Sequence, residues 1–228
     1  MFINTAFYQI TKDVAACDLA KIIGAKVRVA ETNTAARTII KDIVPFHAAK
    51  ASALTYQSVP EALTDFKVKA AVIITNEAGA AAAGPKHICL IVPSPRVGFA
   101  LAVDYLISKP DFGTSLSGVS SQASVAPDAV IHPSATIMAG VTIGSGTLVE
   151  AGAIVHPAVS VGENCHIGSN VVLSYAVLGD HVQIGAGSII GEAGFGFEMT
   201  VDGAVKVPHI GLVVLDDFVS IGNACAID

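Results

Sequence analysis

Seven histidines, His47, His87, His132, His156, His166, His181 and His209, are the side chains able to move a proton near neutral pH. An imidazole beside an amine or hydroxyl nucleophile is a general base. His132, His156, His166 and His181 flank regularly spaced aliphatic residues or stand at the corners between them, and read as solvated turn residues. His209 differs, because it falls in a stretch, 192–213, that breaks that spacing. The same stretch holds Gly194, Phe195, Gly196 and Phe197, two aromatic rings set between glycines, and Lys206, the one basic residue after position 109. Such a stretch is a candidate binding loop, against the plainer reading of a loop that packs its own rings. Tyr56, ahead of an apolar run in the N-terminal half, is a candidate for stacking on a planar base. No metal or cofactor is expected. Trimeric solenoids can hold zinc between subunits through a close histidine pair of the H-x-x-x-x-H kind, and none occurs. The four cysteines, Cys17, Cys89, Cys165 and Cys225, form no CxxC and read as reduced thiols.

The 228 residues are 52% hydrophobic and 14% charged, which argues against disorder and allows a sizeable core. No apolar run reaches the roughly 18 residues of a membrane span. The best candidate, 88–107, is broken by Pro93, Pro95, Arg96 and Asp104. No basic patch precedes an apolar segment at the start, so no secretory signal is read and a cytoplasmic location is expected. Charge is split. Residues 1–109 hold 12 basic and 8 acidic side chains, a net of +4, and residues 110–228 hold 1 and 11, a net of −10. Phosphate contacts need Lys and Arg, so the second half is not expected to bind nucleic acid.

The elements that must position these residues follow from a repeat. Aliphatic residues stand at 125, 131, 137, 143, 149, 155, 161, 167 and 173, in unbroken steps of six, resume at 178, 184 and 190, and return at 215, 221 and 227. Two residues before most of them is a small or β-branched side chain, as at Ala135, Val141, Thr147 and Ala153. Inward positions two apart imply a short strand, since side chains alternate faces. A turn then falls every six residues, where Gly, Asn and Asp supply the dihedrals. Three strands and three turns close a coil of 18, and stacked coils bury a column of Val, Ile and Leu. This is a left-handed parallel β-helix of hexapeptide repeats over 123–228, with 192–213 as its insertion loop. A β-sandwich would place turns every 8–12 residues and does not fit.

Residues 1–108 read as a small α/β domain of an overall α+β N-terminal part, and 109–122, rich in Ser and Gly, as a linker. Helices are expected over 11–24, with Gly24 as C-cap, from Ser58 to about Phe66 with Pro60 in the first turn, and over 95–108 with Val97, Leu101 and Tyr105 on one side. Buried strands are expected over 69–75 and 88–92.

Three stretches resemble one family, the UDP-3-O-(3-hydroxyacyl)glucosamine N-acyltransferases of lipid A biosynthesis. Gly194-Phe-Gly-Phe197, with Lys206-Val-Pro208-His-Ile-Gly211 and Ile221-Gly-Asn-Ala-Cys-Ala-Ile-Asp228, is similar to the family's insertion loop and following coil. Thr55-Tyr56 ahead of a Lys-Ala-Ala-Val-Ile strand is similar to its uridine-binding loop, and residues 95–105 to the helix before its linker. The resemblance implies an acyltransferase in which the amine of a UDP-acylglucosamine acceptor attacks the thioester of a 3-hydroxyacyl-acyl-carrier protein, a His takes the proton, and the chain forms a homotrimer. It implies substrate contacts at Tyr56, Gly194, Phe195, Gly196, Phe197 and His209. Four departures stand beside it. Val59 and Ala62 occupy places where the family has Asn and Tyr in the uridine loop, and His209 aligns with a residue that is usually Gln. About five coils are present where the family has about ten, and its catalytic His falls beyond Asp228. No catalytic residue is therefore carried over, and the 228 residues alone are expected to be inactive. The alternatives are a catalytically incomplete module that binds a nucleotide sugar or only self-assembles, and an acetyl-CoA-dependent enzyme acting on another sugar nucleotide.

Overall fold

The computed structural model describes residues 6–10, 12–29, 37–64, 71–83, 87–111 and 117–228. They form two units, Met1–Lys109 with Phe195–His209, and Pro110–Gly194 with Ile210–Asp228.

The first unit is built on a five-stranded sheet. In chain order its strands are β2 (Lys26–Arg28), β3 (Asp42–Ile43), β4 (Ala53–Tyr56), β5 (Val72–Thr75) and β6 (Ile88–Ile91), and in space they run β2-β6-β5-β4-β3. The last four are mutually parallel and β2 is antiparallel at the β6 edge. Every residue of β5 is buried. That is why it reads as an unbroken Val-Ile-Ile-Thr run, since a central parallel strand has no solvent face. A short pair, β1 (Gln9–Ile10) with β7 (Ile107–Ser108), brings the two ends of this part together.

Among the described residues four α-helices lie between the strands: α1 (Ala16–Ile22), α2 (Pro60–Thr64), α3 (Glu77–Ala83) and α4 (Pro95–Leu106). Gly24 follows α1 with φ +65°, the left-handed geometry expected of it. Thr11, Phe66, Lys69 and Ala70, at the edges of three expected elements, lie outside the described residues. Ser94 caps α4 by accepting from the Val97 N–H, and Pro95 opens its first turn.

The face α4 buries is a correction. It is not the stripe of Val97, Leu101 and Tyr105, for Leu101 is 42% exposed. The buried residues are Pro95, Gly98, Ala100, Ala102, Val103 and Leu106. The helix lies so close to the sheet that a Cβ on Gly98 would stand 2.9 Å from Val92 and 3.1 Å from Ile74. Small residues win this face because the approach leaves no room for large ones.

The second unit is a left-handed parallel β-helix of three sheets with five strands each. Pairing steps by 18 residues, as in Thr142↔Ser160 and Leu148↔His166, shortens to 17 at Ser160↔Val177, and lengthens to 37 at Leu178↔Leu215, across the insertion. Ile137, Val149, Val155, Ile167, Leu173 and Ile190 are fully buried, as are Val141, Ala153, Val159 and Val171 two residues ahead of aliphatic sites. The column of inward residues is the core.

Two different demands shape the corners. At nine successive corners one residue takes left-handed φ, at Gly140, Gly146, Gly152, Ala158, Asn164, Asn170, Tyr175, His181 and Gly187, six apart except at the shortened step. The glycines directly after the aliphatic sites do something else. At Gly144 a Cβ would lie 2.6 Å from the backbone of Gly162 in the next coil. Those glycines set the distance between coils, and the residues two further on make the turn. Gly144→Ala should therefore cost about 1–3 kcal/mol by overpacking, although alanine suits its φ. A urea melt of the variant measures this, and an unchanged midpoint would contradict the close approach.

Candidate functional site

Tyr56 ends β4 at the carboxyl edge of the parallel strands, the edge at which α/β sheets bind ligands. Its ring lies 4.8 Å from that of Phe99 on α4, tilted by 39°. The aromatic pair is half-buried on the Tyr side, so the ring is held and still accessible. The loop after it is fixed locally. Gln57 Oε1 accepts from the N–H groups of Ser58 and Val59, and Asn76 Nδ2 donates to the Ser58 carbonyl.

The insertion is not an irregular loop. Phe197–Thr200 and Gly203–Lys206 form an antiparallel hairpin, with Phe197 opposite Lys206 and Met199 opposite Ala204. It is held to the first unit at both ends. Arg96 Nη1 meets Glu198 Oε1 at 2.9 Å, and the Tyr8 hydroxyl donates to the His209 carbonyl at 3.1 Å. The Val207 N–H donates to the Gly196 carbonyl, and His209 Nε2 lies 3.3 Å from where a Gly196 Cβ would stand. A side chain at that position would press on the imidazole, which would have to give by a few tenths of an ångström. Phe195, 95% exposed, lies 4.8 Å ring to ring from Phe197, and Met199 is 79% exposed. Gly194, at the root of the insertion, belongs to the second unit. The structure thus brings Tyr56 and the hairpin to one helix, since Phe99 and Arg96 are one turn apart on α4.

A second cluster lies on the β-helix, and sequence reasoning missed it. His166 is not in a turn. It is an outward strand residue, half-exposed, whose Nε2 is 2.7 Å from Glu150 Oε1. Glu150 Oε2 accepts from both the N–H and the hydroxyl of Ser169, at 3.0 and 2.6 Å. These bonds, the Ser169 hydroxyl first and then His166, hold the Glu150 carboxyl below the ordinary glutamate range. Next to them is a groove of about 340 Å³ whose lining includes Val130, His132, Pro133, Leu148 and Ala151. A signal existed in the sequence. Glu150 and His166 are 16 apart, so writing the chain in rows of 18 sets them in adjacent rows two columns apart. Of the other solenoid histidines, His181 does stand at a corner, stacked on Phe218 at 4.7 Å. Among the described residues no group of three or more His, Cys, Asp or Glu is placed to hold a metal ion.

With this geometry in view, residues 140–174 match the family model described as bacterial transferase hexapeptide (six repeats). Curated relatives bear out the resemblance read from the motifs. A UDP-3-O-acylglucosamine N-acyltransferase of Caulobacter vibrioides (strain NA1000 / CB15N) is 49% identical over 57 residues, 25% of this chain. The protein of the same name from Azorhizobium caulinodans is 47% identical over 58 residues, again 25% of this chain. The matched chain spans only 17% of the Caulobacter relative and 16% of the Azorhizobium one. Among solved structures, the acetyltransferase domain of PglB from Neisseria gonorrhoeae FA1090, in complex with acetyl coenzyme A, overlaps 82% of this chain and 92% of its own. That overlap has 17% identity and a TM-score of 0.34.

The Glu150 network has a consequence for stability. A carboxyl depressed in the folded state stabilises it above the ordinary glutamate range, and that contribution is lost as pH falls through the depressed value. Glu150→Gln should lower the thermal midpoint at pH 7, and the gap to wild type should close on acidification below the glutamate range. Thermal melts across pH check this, and a gap independent of pH would contradict it.

Proposed function

We propose that the chain is part of an N-acyltransferase that transfers a 3-hydroxyacyl group from acyl-carrier protein to the 2-amino group of UDP-3-O-acylglucosamine. The observation that carries this reading is the 49% identity over 57 residues to proteins of that name. Two features of the structure support it. Tyr56 offers a ring face at the carboxyl edge of a parallel sheet, backed by Phe99, where a uracil could stack. The hairpin joined to the same helix through Glu198 and Arg96 presents Phe195, Phe197 and Met199, apolar surface suited to an acyl chain.

In this reading Tyr56 binds the base, and Phe195, Gly196, Phe197 and His209, in the same unit, line the sugar and acyl portion. The proposed assembly is a homotrimer. Ile154, Val172 and Ile189, which lie in register on the outer face of one sheet, are its contact stripe. Among the described residues no helix is long and apolar enough to cross a membrane.

Calorimetry with UDP-acylglucosamine tests the acceptor half of the proposal. Stacking on an aromatic is worth about 1–3 kcal/mol per base. Tyr56→Ala should therefore weaken binding by about 1–2 kcal/mol, since Phe99 remains. Equal affinity of the Ala variant, or no binding by the wild-type chain, would reject the site.

A further inference from the structure

We infer that the insertion hairpin is a membrane-docking element, whose apolar outer face enters the interface of a bilayer carrying anionic lipid. The inference stands on exposure and charge within the first unit and does not need the acyltransferase reading.

The usual alternation of a strand pair is inverted here. Apolar side chains ordinarily take the inner face and polar ones the outer. In this hairpin Glu198 and Thr200 are the partly covered residues, and Glu198 meets Arg96 of α4. Phe197 and Met199 take the opposite, exposed face, and the register sets Lys206 and Ala204 beside them. Phe195 joins that face through its ring contact with Phe197. Phe195, Met199 and the turn residue Val201 stand almost wholly in solvent. The turn that presents them is tied, with Thr200 Oγ1 donating to the Gly203 carbonyl and accepting from the Asp202 N–H. Contiguous apolar surface held out on an ordered element marks an interaction site.

Charge identifies the partner. The unit that carries the hairpin holds all 13 Lys and Arg of the chain, 12 of them before position 110 and the last at Lys206. Against them stand 8 acidic residues before position 110, with Glu198 and Asp202. The second unit holds the other 9 acidic residues and no basic one. An anionic surface therefore attracts the unit with the hairpin and repels the other. Lys206 puts an ammonium on the apolar face itself, where its stem can lie along the rings and its charge can reach a lipid phosphate. Asp202 carries a carboxylate in the turn, and a carboxylate resists hydrocarbon. The hairpin accordingly lies along the interface on its outer face and does not enter tip first. An acidic protein would answer Lys206 and leave the apolar side chains uncovered, whereas a bilayer answers both.

The chain has no tryptophan, so Val201→Trp supplies a single reporter in the turn. Mixed with vesicles of phosphatidylcholine and phosphatidylglycerol in equal parts, the full chain with this change should float with the lipid. Its emission should move to the blue and be quenched by brominated acyl chains, whereas Val214→Trp, exposed on the β-helix, should not respond. Vesicles of phosphatidylcholine alone, or about 0.5 M salt, should weaken binding at least about threefold. Val201→Asp combined with Ala204→Asp, both at exposed positions, should lower flotation of the chain at least about tenfold and keep its circular dichroism spectrum. Flotation equal with and without phosphatidylglycerol, or equal in the doubly substituted chain, would overturn the inference. So would a blue shift of Val201→Trp that appears without lipid and grows with protein concentration, which would assign the face to a second copy of the chain. Tyr56→Ala should float as the wild type does, so failure of the nucleotide-sugar site and failure of membrane docking are read separately.

Discussion

The distance between stacked coils governs this molecule. Strands in a sheet stand about 4.8 Å apart, and the β-helix must hold that spacing in three sheets at once. Everything else in the second unit follows from it. The chain must return to register after 18 residues, it must turn left-handed every six, and the residue at the closest crossing must have no Cβ, as at Gly144 against Gly162. The inward aliphatic column at Ile137, Val155 and Leu173 is stabilising because the coils are that close. Buried surface that no single repeat could provide is shared between neighbours.

A solenoid built this way frees two kinds of position for chemistry. Outward strand residues meet solvent on one side and a neighbour one coil away on the other, as Leu148 and His166 do. That geometry let Glu150 gather His166 and Ser169 from the next coil. The other freedom is to leave the coil between strands. The chain does so after Gly191, which has left-handed φ, with Ser174 Oγ bonded to Glu192 Oε1 at the point of departure, and it re-enters register at Val213. The excursion folds as a hairpin that counts with the N-terminal unit, which a reading of the repeat alone assigns to the β-helix.

The architecture was legible because period six is a hard constraint written into every coil. Nine aliphatic residues in step leave little choice of fold. The N-terminal elements were legible in kind, and β5 announced itself as an apolar run. The buried face of α4 is not legible from hydrophobicity, because packing distance decides it. Gly98 and Ala102 are buried there and Leu101 is not. Composition alone marks the corner glycines as turn formers, whereas several of them are spacers. His166 was passed over because its partner is close only once the chain is folded into rows of 18. The hairpin could not be seen from alternation, because Phe195, Phe197, Met199 and Val201 alternate toward solvent and not toward a core.

The proposed nucleotide-sugar site of the N-terminal unit is at Tyr56, whose ring packs on Phe99 of α4, the helix that also meets the hairpin through Arg96 and Glu198. Saturation-transfer difference NMR of the full chain with UDP-N-acetylglucosamine measures this at the level of individual protons. The strongest transfer is expected at the uracil H5 and H6 protons, with weaker transfer to the sugar and loss of both on adding UDP. Transfer confined to the sugar, or none at all to the uracil ring, would contradict it.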